Sequence, residues 1–305
     1  MELIKPGTHV NFVGMMKKAS FLSIALIIIS ILSLIYHKGP DWGVEFTGGT
    51  EIHIKLQKDL ELNQVEKVLE STGYAPEAVQ RLGLTGDKEY LIRFSPDTVK
   101  FDQIQGFQSK LEGIMKDNPE FKGGSILRVD YIGPRVGSEL ISKAIISILL
   151  GCVGILIYIM FRFEFSFAMG AVIALVHDTI ITLGAISITD KEFSLALVAA
   201  LLTVIGFSVN DTIVIFDRIR ENLKKSEKTS FREIVNEGIN QTLSRTILTS
   251  VTVFLVLIPL FILGGSVIHD FTFTLIVGAI VGTYSSIFVA SSFVIYWRHR
   301  KDKAA

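Results

Sequence analysis

Six long runs of apolar residues without any charge constrain this chain more than any other feature of its sequence. They occupy 19–36, 144–161, 165–176, 193–210, 246–268 and 271–297. A helix needs about 20 mostly apolar residues to cross about 30 Å of hydrocarbon. The two short runs continue past a polar group, His177-Asp178 and Asp211 respectively. The sequence therefore predicts six transmembrane helices, at 19–36, 138–161, 164–187, 193–216, 246–265 and 271–297.

The charges are segregated along the chain. Its 305 residues include 30 Lys plus Arg and 30 Asp plus Glu, yet the mean hydropathy is +0.48. The first run, 19–36, is too long for the apolar core of a signal peptide, and no small-residue cleavage pattern follows it. We expect it to remain as a membrane anchor.

The distribution of Lys and Arg predicts the orientation in the membrane. One set of loops and both termini carry fifteen basic residues: Lys5, Lys17, Lys18, Arg162, Arg218, Arg220, Lys224, Lys225, Lys228, Arg232, Arg245, Arg298, Arg300, Lys301 and Lys303. The short loops of the opposite side, 189–192 and 264–270, hold only Lys191. We therefore expect a multi-pass protein of the cytoplasmic (inner) membrane whose termini, 1–18 and 298–305, are cytoplasmic. A charged amphipathic segment, 218–244, is predicted as a cytoplasmic connector.

The segment 37–137 between the first two spans is long enough to fold as an extracytoplasmic domain. Strand-like and helix-like patterns alternate in it, at 50–57, 63–71, 77–82, 88–94, 101–115 and 125–132. The order βαββαβ predicts a small ferredoxin-like α+β domain. From 37 to 143 the chain has 14 Lys plus Arg and 17 Asp plus Glu, so no strong charge marks this domain as a binder.

Ionisable residues inside spans are costly and mark candidate functional positions. Asp211 lies six residues before Asp217, about 9 Å inside the end of its helix. A carboxylate at this depth must bind a proton or be held charged by a cation. Arg245 is the nearest candidate cation along the chain, and Asn210 lies beside Asp211. A proton-binding switch and a fixed structural salt bridge are the two interpretations, and we favour the switch.

His177 and Asp178 form a second polar position in the third span. Neighbours on a helix point about 100° apart, so these side chains are expected to face different partners. Either could join a proton path or only pack the bundle. Gly278 and Gly282 form a GxxxG pattern that predicts close helix packing within this chain rather than dimerisation.

Several classes of function have no support in the sequence. There is no Walker loop, HExxH or GxSxG pattern, and the single cysteine, Cys152, lies in an apolar run. Neutral overall charge argues against nucleic-acid binding. We expect no enzymatic activity, no catalytic residue, no cofactor and no metal.

The chain resembles the SecF family of membrane proteins over nearly its whole length. The resemblance rests on five stretches in the expected order: Gly43–Thr50, Ile132–Leu140, Phe161–Phe165 with Ala171–Asp178, Thr203–Glu221 and Asn240–Thr246. It implies a member of the resistance-nodulation-division superfamily, in which proton flow through paired six-helix bundles moves domains outside the membrane. It also implies that Asp211 and Arg245 belong to a proton pathway.

The resemblance implies partners and a function as well. A SecD subunit would complete a twelve-helix unit beside the SecYEG channel and a YajC-type accessory subunit. The expected function is to use the proton motive force in late stages of polypeptide translocation, with protons, membrane lipid and the moving polypeptide as the other partners. The alternatives are a passive chaperoning subunit with static buried charges, and a half-size proton-driven exporter of lipids or small molecules.

The junction between the first span and the domain carries the motif Glu45-Phe46-Thr47-Gly48-Gly49. The family more often has an aspartate at the position of Glu45, so this chain keeps the charge on a longer arm. The two glycines allow a hinge between span and domain, or a tight turn into the first strand.

Overall fold

The protein is a bundle of long helices with a small sheet domain between the first two. It is a computed structural model that describes residues 9–71, 73–82, 88–225 and 229–304; at 101, 134–135, 265–267 and 301–304 only the backbone is described. The basic residues Lys5 and Lys228 of the orientation argument lie outside the described residues.

Six helices in the described part of the chain are long and apolar enough to span a membrane, which confirms the predicted fold class. The spans are α1 (Phe12–Tyr36), α5 (Pro134–Arg162), α6 (Phe165–Ile188), α7 (Leu195–Lys225), α8 (Phe231–Leu263) and α9 (Gly265–Ser285), which runs through a π-helical turn (Ser286–Ala290) into α10 (Ser291–Ala304). A four-residue helix, α2 (Val44–Thr47), precedes the sheet. We call the end of the bundle next to the sheet the domain end, and the opposite end, where α1 begins and α10 ends, the basic end.

The predicted connector 218–244 is not a separate element. Helix α7 continues to Lys225, where Arg218 and Lys225 pair with Glu221 on its exposed surface. Helix α8 already begins at Phe231, where Ser230 and Glu233 form a capping box. The apolar positions Ile234, Val235 and Ile239 of this segment are buried in the bundle core, so the segment forms the adjoining ends of α7 and α8. Hydropathy detects only the apolar part of each helix, and it therefore misses the charged ends of α7 and α8.

The first span also begins earlier than predicted. Its first turn, from Phe12, buries Phe12, Val13 and Met16 in the bundle core. The side-chain amide of Asn240 on α8 donates to the backbone carbonyl of Val10 at 2.8 Å and accepts from its N–H at 2.8 Å. The chain before the hydrocarbon is therefore held against α8.

The sheet domain has the predicted βαββαβ order. Its elements are β1 (Gly49–Lys55), α3 (Leu62–Ser71), β2 (Ala78–Leu82), β3 (Glu89–Phe94), α4 (Ile104–Asp117) and β4 (Ser125–Ile132). The strands pair antiparallel in the order β2-β3-β1-β4, which is the ferredoxin-like arrangement. Alternate residues such as Ile52 and Ile92 pack under α3 and α4, and the other face of the sheet points away from this core.

Helices α6 and α7 form the interior of the bundle, and α9 crosses them closely. A Cβ atom added at Gly278 would lie 2.1 Å from Cγ2 of Val204, and one at Gly282 would lie 3.0 Å from Cβ of Ser208. The GxxxG pattern therefore packs α9 against α7 within this chain, as predicted. This approach brings polar side chains of the two helices together.

Candidate functional site

Asp178 is the centre of a hydrogen-bonded cluster inside the bundle. Its side chain is 1% exposed. Its Oδ1 lies 2.8 Å from Nδ1 of His177, and its Oδ2 accepts from the hydroxyls of Ser208 on α7 at 2.5 Å and Ser285 on α9 at 2.7 Å. One carboxylate thus ties α6, α7 and α9 together at mid-bundle.

His177 extends this cluster towards α1. Its ring stacks on that of Tyr284 with centroids 6.1 Å apart. The Tyr284 hydroxyl donates to the backbone carbonyl of Ala19 at 2.6 Å and lies 3.0 Å from the hydroxyl of Ser23. The expectation that the two side chains face different partners is only partly met: Asp178 also reaches α7, but both side chains contact α9, and they bond to each other.

Asp211 is buried as well, but it has a different environment. The residue is 3% exposed, and its Oδ2 has no hydrogen-bond partner among the described residues. Thr246 on α8 is also buried, and its hydroxyl likewise has no partner in the described part of the chain. A buried polar atom without a partner costs about 1–3 kcal/mol, and more when it is charged. A proton, or the approach of a cation, would relieve this cost.

Arg245 does not form an ion pair with Asp211 in this structure. Among the described residues, no basic nitrogen lies within 4.0 Å of the Asp211 carboxylate. Arg245 is exposed on α8, close enough for its charge to act on Asp211. Asn210 also points outward, on the surface of α7. The structure thus places the acid inside and its predicted partners at the surface beside it.

Ser208, which belongs to the Asp178 cluster, lies three residues before Asp211 on α7, which is about one helical turn. Ser208 donates its hydroxyl proton to Asp178, and its carbonyl oxygen accepts from the hydroxyl of Thr212 at 3.2 Å, next to Asp211. The π-helical turn Ser286–Ala290 follows directly after Ser285. Such turns are rare and often occur at functional sites. The polar positions of three helices are therefore adjacent.

The motif Glu45–Gly49 forms the junction between α1 and the sheet. Glu45, Phe46 and Thr47 lie in α2, and Gly48 and Gly49 follow with φ of 74° and 125°. A Cβ atom at Gly49 would lie 2.4 Å from the carbonyl oxygen of Phe94 on β3. The glycines thus make a tight turn into β1 that a larger residue would strain.

This junction rests on the loop between α6 and α7. The Phe193 N–H donates to the Asp41 carbonyl at 2.7 Å, and the Gly43 N–H donates to the Phe193 carbonyl at 3.0 Å. The ring of Phe193 stacks on Phe46 at 6.0 Å and meets Trp42 edge-on at 5.2 Å. The sheet domain is therefore docked on the hairpin that carries Asp178 and Asp211.

An ion cluster around the buried side chains of Arg93 and Glu192 completes the junction, and no sequence motif predicts it. Arg93 of β3 is 7% exposed and holds both oxygens of Asp41, at 2.7 and 2.9 Å. It also donates to the Trp42 carbonyl and lies 3.5 Å from Oε1 of Glu192. Glu192, 8% exposed, accepts from the Val44 N–H at 3.2 Å. A single guanidinium thus bridges sheet, junction and bundle.

Several acidic side chains lie close together at the face of the sheet that α3 and α4 do not cover. Glu51 faces Arg93 on β3 and Asp130 on β4, and a cleft of about 240 Å³ separates this face from the α6–α7 loop. Burial raises the pKa of Glu51 to about 8, with Glu192 as the strongest further cause. Burial also raises the pKa of Glu192 to about 7, against the opposing charge of Arg93. The pKa of Glu45 is raised by burial as well.

The only sequence indication of this cluster was Glu192 itself, a charge between two spans with an aromatic residue after it. Among the described residues, no group of three or more His, Cys, Asp or Glu side chains is placed to hold a metal ion together. Glu51 and Glu192, whose pKa values are raised to about 8 and about 7, can bind and release protons near neutral pH.

Comparison with known protein families gives two matches. Residues 115–300 match the family described as protein export membrane protein SecD/SecF, C-terminal. Residues 33–59 match the SecD/SecF GG motif, which includes the junction glycines Gly48 and Gly49. The matches cover most of the spans and the entry into the sheet domain, and they confirm the family resemblance found in the sequence.

Individual relatives agree over the whole length. A protein translocase subunit SecF from Calditerrivibrio nitroreducens is 45% identical over 298 residues, which cover 96% of each chain. The protein translocase subunit SecDF of Thermus thermophilus is 36% identical over 99% of this chain and 40% of its own. A crystal structure of SecDF from Thermus thermophilus, a translocon-associated membrane protein, superposes with a TM-score of 0.84 at 34% identity. That match covers 96% of this chain and 39% of the SecDF chain.

Proposed function

Because the chain belongs to the SecD/SecF family and is a SecF-type translocase subunit of protein export, we propose that it uses the proton motive force to drive late stages of translocation. The observation that carries this proposal is the buried carboxylate of Asp211, which has no hydrogen-bonding or ionic partner for Oδ2 in the described part of the chain. A fixed structural charge is expected to be fully paired, as Asp178 is. Asp211 instead has room for a proton, with Arg245 near it.

Protonation would change the forces on α7. The neutral acid has a smaller desolvation cost and a weaker attraction to Arg245, whereas the carboxylate attracts this arginine towards the bundle. The cluster around Asp178 links any displacement of α7 to α6 and α9. Alternation between the protonated and the charged state of Asp211 would therefore move these helices relative to α8, which carries Arg245.

The α6–α7 hairpin connects the proton site to the sheet domain. Its two helices carry Asp178 and Asp211, and its loop carries Glu192 and Phe193, on which the domain is docked. A shift of the hairpin must move or release the junction at 41–46. We propose that this movement lets the sheet domain act on the exported polypeptide, without enzymatic chemistry.

A SecD subunit is the proposed partner that completes the membrane unit. The SecDF relative from Thermus thermophilus contains this chain's counterpart within a longer polypeptide. On this chain, Thr203, Asn210 and Arg245 are exposed on α7 and α8, within or next to apolar stretches. Polar groups at membrane depth avoid lipid, so a second bundle is expected to cover this face. SecYEG, a YajC-type subunit and the moving polypeptide are the further proposed partners.

The proposed orientation places the basic end of the bundle in the cytoplasm. Arg162, Arg218, Lys225 and Arg298 lie there, together with the start of α1 and the end of α10, whereas the short loops at the domain end contain Lys191, which is paired with Asp270. Basic loops are retained on the cytoplasmic side. The sheet domain then lies outside the cytoplasm.

An export assay in membrane vesicles tests this function. Export would be measured in vesicles that contain the complete translocase, with either the unaltered chain or its Asp211→Asn variant. Each kind of vesicle would be measured with and without a proton gradient. Asparagine keeps the size and a hydrogen-bonding group but cannot take up the proton. We expect the gradient-dependent part of export to be lost.

Asp217→Asn is the matched control, since Asp217 lies on the same helix but is half-exposed and paired with Arg162 at 2.8 Å. This variant should keep gradient-dependent export. Undiminished proton-driven export by Asp211→Asn would contradict the proposal. If export by vesicles with the unaltered chain does not respond to the proton gradient, a passive subunit would be favoured.

A further inference from the structure

A groove at the basic end of the bundle is unrelated to the proton path and to the junction. It lies between the first turns of α1, the start of α8 and the first turns of α10, and has a volume of about 590 Å³. Its walls are mainly apolar and aromatic, formed by Val13, Met16, Phe231, Phe293, Ile295 and Tyr296. The groove thus offers a sheltered apolar surface where the bundle leaves the membrane.

The lining of this groove carries charge of one sign only. Lys17, Arg232 and Arg298 contribute to it, His299 lies beside them, and no Asp or Glu lines the groove. Among the described residues, none of these four basic side chains has a carboxylate within 4.0 Å. The Arg298 guanidinium lies 5.3 Å from the ring centre of Phe231, which holds it over the groove. The groove therefore attracts an anion.

The position of the groove matches the headgroup level of a bilayer. Tyr296 and Trp297 are exposed on α10, and such residues are concentrated at membrane–water interfaces. Ser20 of α1 also lines the groove, and the exposed apolar residues Ile24 and Ile28 continue the same face of α1 into the hydrocarbon. An elongated ligand bound here would have a charged head between the cations and apolar tails along α1.

We propose that this groove binds an anionic glycerophospholipid, with its phosphate between Lys17, Arg232 and Arg298 and its acyl chains against α1. Free inorganic phosphate would use the cations but leave the apolar walls exposed. A zwitterionic lipid would fill the walls but bring its own cation beside four basic side chains. Only an anionic lipid matches both halves of the groove.

Ser292 adds a hydrogen-bonding group at the appropriate depth. Ser292 lines the groove, and its buried hydroxyl oxygen has no partner among the described residues. It lies more than one helical turn from Arg298 along α10, on the hydrocarbon side of the charges. A phospholipid places its ester oxygens in this layer, where a hydroxyl donor can reach them.

Native mass spectrometry of the full chain in detergent, titrated with dioleoyl-phosphatidylglycerol or dioleoyl-phosphatidylcholine, tests this site. We expect tighter retention of phosphatidylglycerol. Since each basic residue contributes about five-fold at such a surface, Lys17→Gln with Arg298→Gln should weaken its binding about 30-fold. Ser20→Trp, which fills the groove and keeps every charge, should weaken the binding of both lipids.

The matched control is Lys224→Gln with Arg300→Gln, which removes two charges of the basic end that do not line the groove. It should bind phosphatidylglycerol within about two-fold of the unaltered chain. The charge-keeping pair Lys17→Arg and Arg298→Lys should bind like the unaltered chain, which separates loss of charge from loss of fold. Equal retention of both lipids, or an equal loss in the control pair, would overturn the proposal in favour of diffuse attraction to the basic end.

Discussion

Docking of the sheet domain on the bundle should weaken as the pH rises through neutrality. In the docked state the pKa of Glu192 is about 7 and that of Glu51 about 8, because both carboxyls are buried. Undocking would expose them to water and return each to its ordinary value of 4.5. The charged and titratable groups that face this pair are Asp41, Glu45, His53, Glu77, Arg93, Arg128, Asp130, Lys191 and Asp270.

The sign follows from the raised values. A carboxyl whose pKa is higher in the docked state binds its proton more tightly there, so docking is strongest below about pH 4.5. This contribution is lost as the pH rises through about 7 for Glu192 and about 8 for Glu51. For Glu192 the difference between 4.5 and about 7 corresponds to about 3 kcal/mol of docking free energy.

Trp42 provides the assay, since it packs edge-on against Phe46 and Phe193 at the docked junction. The chain has two tryptophans, so Trp297→Phe leaves Trp42 as the single fluorophore. Iodide quenching of Trp42 would be followed from about pH 5 to about pH 9. We expect quenching to increase with pH across the range in which the two carboxyls lose their protons.

Two further variants in the same background make this test specific. Glu192→Gln should remove the contribution of Glu192 and move the remaining one, from Glu51, to lower pH, because the charge of Glu192 helps to raise the pKa of Glu51. Glu139→Gln, at an exposed position of α5 paired with Lys143, should leave the curve unchanged. Quenching that falls as the pH rises, or an identical curve in Glu192→Gln, would refute this reasoning.

Two other predictions concern stability. Asp178→Ala leaves His177, Ser208 and Ser285 without their shared acceptor and should lower the free energy of unfolding in detergent by about 3 kcal/mol; an unchanged thermal melting curve would contradict this. Gly49→Ala forces a side chain into a backbone with φ of 125°, 2.4 Å from a carbonyl oxygen, and should destabilise the sheet domain by about 1–3 kcal/mol or more. The solvent-facing control Gly106→Ala, with open space at its Cβ, should not reduce stability in the same chemical denaturation experiment.

Much of the fold was predictable because the pattern of apolar residues along the chain determines the spans and the order of elements in the sheet domain. Apolar runs marked the six spans, and alternating patterns marked the βαββαβ domain. The ends of α7 and α8 were not predictable in this way. Beyond the hydrocarbon, α7 and α8 are held by ion pairs, a capping box and buried apolar positions, none of which raises the hydropathy of the segment.

The candidate site was predictable only where a single residue is anomalous in itself. Asp178 and Asp211 stand out as charges within apolar runs. Arg93 and Glu192 do not, because a strand arginine and a loop glutamate become a buried pair only through contacts 99 residues apart in the chain. The absence of an Asp211–Arg245 ion pair in the described structure also required coordinates, since helix rotation places Asp211 inside and Arg245 outside.

The central claim is that Asp211 takes up and releases a proton, whereas Asp178 is a fixed structural acceptor. Infrared difference spectroscopy of the chain in lipid nanodiscs, with the pH stepped, would measure it through the carbonyl band of a protonated carboxyl group. We predict a titrating band that is absent from Asp211→Asn and retained in Asp217→Asn. A spectrum in which Asp211→Asn retains every titrating band of the unaltered chain would contradict the claim.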